Sequence, residues 1–161
     1  MNTDLIPTLI DQYRETFEGE VTKGKCWITD GTPESALLGT IESLTPQQAF
    51  MPPSADARSI AAHVEHLRFA LDLTLRRLHG ENPDADWPSS FNLSERTPES
   101  WAKLKRDLGQ AYEAVLKFLQ ERRLASVEDW QPIHVAGLCA MTAHNAYHLG
   151  AIRQIAKVVK K

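Results

Sequence analysis

Apolar positions recur every three or four residues in four long stretches of this chain, and no stretch alternates in the period of two that a half-buried strand requires. Leu5, Leu9, Ile10, Tyr13 and Phe17 share one helical face and Gly19 follows them, which predicts a first helix over residues 3–18. Beyond the break at Pro52-Pro53, Ile60, Val64, Leu67, Leu71 and Leu78 form a second stripe with Glu65, Arg68, Asp72 and Arg76 opposite. That stripe predicts a helix from about Arg58 to His79, ended by Gly80. Trp101, Leu104, Leu108, Ala111, Val115 and Phe118 mark a third helix over 98–123, and Leu138, Met141, His148, Ile152, Ile155 and Val159 a fourth from about Ile133. Thr32-Pro33-Glu34-Ser35 combines an N-cap threonine, a proline at the first helical position and an early acid, so a short accessory helix is expected to run to about Leu44. Thr97-Pro98-Glu99-Ser100 repeats those four residues, a recurrence of capping chemistry rather than of a domain. Residues 81–96, with Pro83, Pro88, Trp87 and Phe91, read as an ordered loop carrying two aromatic anchors. The expected fold is therefore all-α, a four-helix bundle with a short accessory helix, in a single domain spanning 1–161.

Composition narrows the functional classes. A chain of 161 residues can bury its own core without disulfides or a structural metal, so a bound ion would serve chemistry rather than folding. With 18 Lys and Arg against 21 Asp and Glu, the formal charge of -3 offers no attraction to nucleic acid or an anionic membrane. Lys157, Lys160 and Lys161 complement the dipole of the last helix. Cys26 and Cys139 show no metal or disulfide spacing, which fits a reducing compartment. The first residues lack a basic segment followed by an apolar run, and no stretch approaches the roughly 20 apolar residues of a membrane span. A cytoplasmic protein is expected.

The chemistry lies in histidine spacing. His144 and His148 stand one turn apart, with Cβ atoms about 5–6 Å apart on one face, so two imidazoles can converge on one ion. His63 and His66 lie on the second long helix beside its apolar stripe, and either can supply a third nitrogen, with periodicity favouring His63. The bland alternative is four core imidazoles satisfied by backbone carbonyls and neighbouring side chains. His79, before a helix-ending glycine, is expected to pair with the helix C-terminus. His134, about 15 Å from His144 by helical rise, falls outside such a site.

Ser59-Ile60-Ala61-Ala62-His63-Val64-Glu65-His66-Leu67, followed by His144-Asn145-Ala146-Tyr147-His148-Leu149-Gly150-Ala151-Ile152, resembles the DinB/YfiT-like superfamily, whose last helix carries a similar HxxxHxGxI pattern. In that family a Ser or Thr precedes the first ligand histidine by seven residues, and Ser59 to His66 has that spacing. The resemblance thus favours His66 over His63 and implies His66, His144 and His148 as ligands of one divalent ion, zinc, nickel or iron-like. Arg58 stands where the family commonly has an aromatic residue. The resemblance further implies a metal-dependent enzyme acting on a small molecule by thiol transfer or hydrolysis, with a low-molecular-weight thiol as cosubstrate. A non-catalytic, stress-associated or dimerising bundle is the alternative, and a homodimer is compatible with both. Tyr147 and Asn145 are candidate supports of the ligands, each with packing as the plainer role, and Cys139, rotated about 140° from His144, is expected to be a small core residue.

Overall fold

The computed structural model describes residues 5–125 and 130–161, with the side chains of 123–125 outside that description. Among the described residues there are six α-helices, four of them long, and no strand, so the fold is all-α. The helices are α1 (Leu5–Glu18), α2 (Leu37–Glu42), α3 (Pro46–Phe50), α4 (Ile60–Leu78), α5 (Pro98–Ala125) and α6 (Pro132–Val159). The predicted start at residue 3 lies outside the described residues; the other long helices match their expected bounds to within two residues. None of the described helices is long and apolar enough to cross a membrane.

The chain divides into two compact units, residues 1–40 with 116–150, and residues 41–115 with 151–161. In the first, α1 buries Ile6, Ile10, Tyr13 and Phe17, the last two rings tilted at 5.4 Å. Gly19 ends α1 at φ +91, a left-handed value that glycine adopts without strain. In the second, α4 buries Ile60, Val64, Leu67 and Leu71 and packs against α3 and against a 3₁₀ turn at Ser89–Phe91. Phe50 meets the buried Trp101 edge to face at 6.3 Å, and Lys105 and Lys160 reach Glu42 and Ser43 at 2.6 and 2.9 Å.

The accessory helix departs from expectation. Pro33–Ser35 forms only a 3₁₀ turn, and Ala36 is extended (φ -91, ψ 170) before α2 begins. The Thr32 hydroxyl, expected to cap a helix, instead donates to Asp30 at 2.8 Å, and the Ser35 hydroxyl donates to the Thr32 carbonyl at 2.7 Å. The chain folds back so tightly that a Cβ on Gly39 would sit 2.1 Å from the Pro33 carbonyl oxygen. Sequence reasoning missed α3, although Thr45-Pro46-Gln47-Gln48 spells a capping box: Thr45 accepts from the Gln48 amide, and the Gln48 side chain accepts from the Thr45 amide.

Candidate metal centre

The second unit fixes one histidine through helix phase and a loop. Ser59 caps α4, its hydroxyl accepting from the Ala62 amide at 3.3 Å. Seven residues at 100° each fall about 20° short of two turns, so a cap at Ser59 sets His66 on the cap's own side of the helix. His66 is 5% exposed and lies flat on Phe91, ring centroids 3.9 Å apart and planes within 5°. Its Nδ1 is 2.6 Å from Ser90 Oγ, and the Trp87 ring stands 5.8 Å away. The Arg58 guanidinium lies 3.8 Å from the Phe91 centroid. Two groups this close to one ring cannot share a face, so Phe91 is held between Arg58 and His66. The departure at Arg58 from the family's aromatic residue thus still contacts an aromatic ring.

The first unit supplies a pair from one helix. His144 and His148 meet edge to face with ring centroids 4.6 Å apart, as i and i+4 positions allow. His148 is buried at 4% exposure; His144 is half-buried, and burial pushes its pKa below the ordinary imidazole value. That shift favours the neutral, ligand-ready form of His144.

His66, His144 and His148 form a close group, each offering one ring nitrogen, with these atoms all within 4.8 Å of one another. Three close histidines of this kind can bind a metal ion. His63 is not in the group: its ring packs edge-on to Phe91 at 6.0 Å, and burial, with the Arg58 charge, lowers its pKa.

The remaining candidates separate cleanly. His79 Nδ1 bonds the Leu75 carbonyl at 2.8 Å, the helix-end role expected of it. His134 Nδ1 accepts from the Gln131 amide at 3.1 Å and meets Arg122 at 3.1 Å, far from any ligand task. Cys139 is exposed, a correction to its expected core position: Leu138 and Thr142 occupy the buried face, and 139 turns about 100° away from Leu138. Tyr147 is likewise exposed, at 71%, with its ring edge-on to His148 at 5.1 Å. Asn145 is 1% exposed, and neither its Nδ2 nor its Oδ1 finds a partner among the described residues; the same is true of Thr142 Oγ1 one turn earlier. Ser90 escaped sequence reasoning, because its contact with His66 spans 24 residues and has no periodic signal.

An all-α chain with a close group of three imidazoles, one after a serine-capped helix start and two at i and i+4 on the last helix, defines a class of helical proteins able to hold a metal. The chain belongs to the DinB superfamily, whose family model matches residues 32–152, well over half its length. No curated protein and no solved structure matches it.

Proposed function

We propose that this protein holds one divalent metal ion on His66, His144 and His148 and uses it in a small-molecule reaction of thiol-transfer or hydrolytic type, with a low-molecular-weight thiol as the candidate cosubstrate. The close group of three largely buried histidine nitrogens carries the reading, and metal binding is in keeping with the superfamily. When bound by three uncharged ligands, such an ion keeps its full charge and open positions, and it brings the pKa of a water or thiol toward neutrality. The chain's own residues prepare for this. Burial holds His144 neutral, Phe91 fixes the plane of His66, and the unpartnered amide of Asn145 and hydroxyl of Thr142 offer hydrogen bonds to a polar guest beside the histidine pair.

Elemental analysis and zinc titration are the test. One ion per chain is expected, lost in each of His66→Ala, His144→Ala and His148→Ala, while chelation leaves the far-UV helical signal intact at room temperature. Adding a small thiol to the metal-loaded protein should bring a sulfur ligand into its X-ray absorption spectrum. A saturated shell with no exchangeable position would instead favour the non-catalytic reading. One observation supports that second reading in its dimerising form: from Pro132 to Ile152 α6 carries no Asp, Glu, Lys or Arg, yet Ile133 is 73% and Tyr147 71% exposed. Sedimentation at rising concentration separates a pairing bundle from a monomer.

A further inference from the structure

Ser90 makes two short contacts with one proton to place. Its Oγ lies 2.5 Å from the Trp87 carbonyl oxygen and 2.6 Å from His66 Nδ1. A carbonyl oxygen carries no hydrogen, and two oxygens this close without a proton between them repel, so the serine proton points to Trp87. Toward His66 the serine then has only a lone pair to offer, so the proton in that second bond comes from Nδ1. A neutral imidazole carries one N–H, which puts the lone pair on Nε2. We infer that Ser90 is a positioning residue that holds His66 as its Nδ1–H tautomer and so reserves Nε2 as the metal-binding atom. The inference rests on the metal-binding reading above for its purpose, though not for its proton count.

The loop is built to keep the serine in place. Ser90 is 5% exposed, at the centre of the 3₁₀ turn Ser89–Phe91. Asp86 accepts from the Ser89 amide at 3.2 Å, and the Asn92 amide closes the turn on the Ser89 carbonyl at 2.9 Å. The next residue, Phe91, stacks on the same imidazole within 5° of parallel. The turn therefore fixes both the plane of the ring and the assignment of its nitrogens, the two quantities that decide where a ligand lone pair points. Nothing equivalent is needed from α4 itself, which only delivers the ring.

Two readouts on the full chain test this. Long-range ¹H–¹⁵N correlation spectra of the ¹⁵N-histidine-labelled, metal-free protein at pH 8 should show His66 as the Nδ1–H form, and Ser90→Ala should move it toward Nε2–H, the form favoured by a ring in water. In chelator competition with Zn²⁺ alone, Ser90→Ala should weaken binding by about 10–100-fold, the usual penalty for losing the partner of a ligand histidine. Ser90→Thr, which keeps the hydroxyl, should restore both. A wild-type His66 already in the Nε2–H form, or a Ser90→Ala protein with unchanged tautomer and unchanged zinc affinity, overturns the inference. If the wild-type protein shows the Nδ1–H form, and Ser90→Ala shifts it, but zinc does not bind, the proton assignment stands and the metal reading falls.

Discussion

Two loops in this protein follow long helices, and each is tied back to its helix by one buried polar side chain, yet the ties are built differently. Glu15 of α1, 2% exposed, accepts from the amides of Trp27 (2.9 Å), Ile28 (2.8 Å) and Thr29 (2.8 Å) and from the Thr29 hydroxyl (3.1 Å). Burial alone would raise its pKa, but the donors from Thr29, Ile28 and Trp27 outweigh it and the net shift is downward. The loop it fastens carries Trp27 with its side chain 76% exposed. His66 of α4 meets its loop through one stacked face and one nitrogen. A carboxylate wrapped by four donors is committed to the fold, whereas the imidazole gives this loop one of its two nitrogens. How much of its bonding capacity the loop takes separates a fastening from a site.

The strongest way to break this comparison is to remove each tie and read both stability and metal affinity. Glu15→Ala leaves three amide donors to find water, a loss of about 2–3 kcal/mol, which for a chain of this size lowers Tm by roughly 5–10 °C. Its zinc affinity should stay within about threefold, since Glu15 is not among the grouped histidines and independent sites add. His66→Ala should abolish stoichiometric zinc binding. Calorimetry and chelator competition on the two variants check this, and equal losses of zinc affinity would erase the distinction.

Acid sharpens the same contrast in the metal-free protein. His144 has a folded pKa below its ordinary value through burial, and His63 through burial and the Arg58 charge, so the unfolded chain binds their protons more readily. Stability is therefore highest above about pH 6.5 and falls as pH drops toward the folded values. Glu15, also depressed, adds a separate loss that begins only below the ordinary carboxylate range and completes as pH passes through its folded value. Urea midpoints measured from pH 8 to pH 3 should thus decline in two steps. His144→Ala should shrink the upper step and leave the lower, and Glu15→Gln should do the reverse.

What the sequence reveals follows from what is periodic. The long helices, the Ser59 start and the i, i+4 pair His144 and His148 are local in sequence, and their spacing alone predicts them. The choice of His66 over His63 for the close group followed from the resemblance and not from the stripe, because α4 is buried broadly enough that Ala61, Ala62, Val64 and His66 all lie inside. Ser90 and Phe91 on His66, and Glu15 on residues 27–29, join parts of the chain with no common period. Cys139 was misjudged for a related reason: α6 is apolar nearly all round, so hydrophobic character does not tell its inner face from its outer one.

The smallest predicted effect tests how far local words can be trusted. Thr-Pro-Glu-Ser occurs twice, and only the second copy opens a long helix. At Thr97 the hydroxyl accepts from the Ser100 amide at 3.1 Å, and the Ser100 hydroxyl accepts from the Thr97 amide at 2.9 Å, a reciprocal cap on the 28 residues of α5. At Thr32 the hydroxyl donates to Asp30, no side-chain cap forms, and the turn ends at the extended Ala36. At the first copy the Asp30 carboxylate accepts from both the amide and the hydroxyl of Thr32, whereas at the second the same two groups of Thr97 pair with Ser100. Thr97→Ala should therefore cost about 1 kcal/mol, and Thr32→Ala, at an exposed turn, less than about 0.5 kcal/mol. Paired urea denaturation resolves the two, and equal losses would mean that the Thr32 contact with Asp30 supports the fold as strongly as a helix cap does.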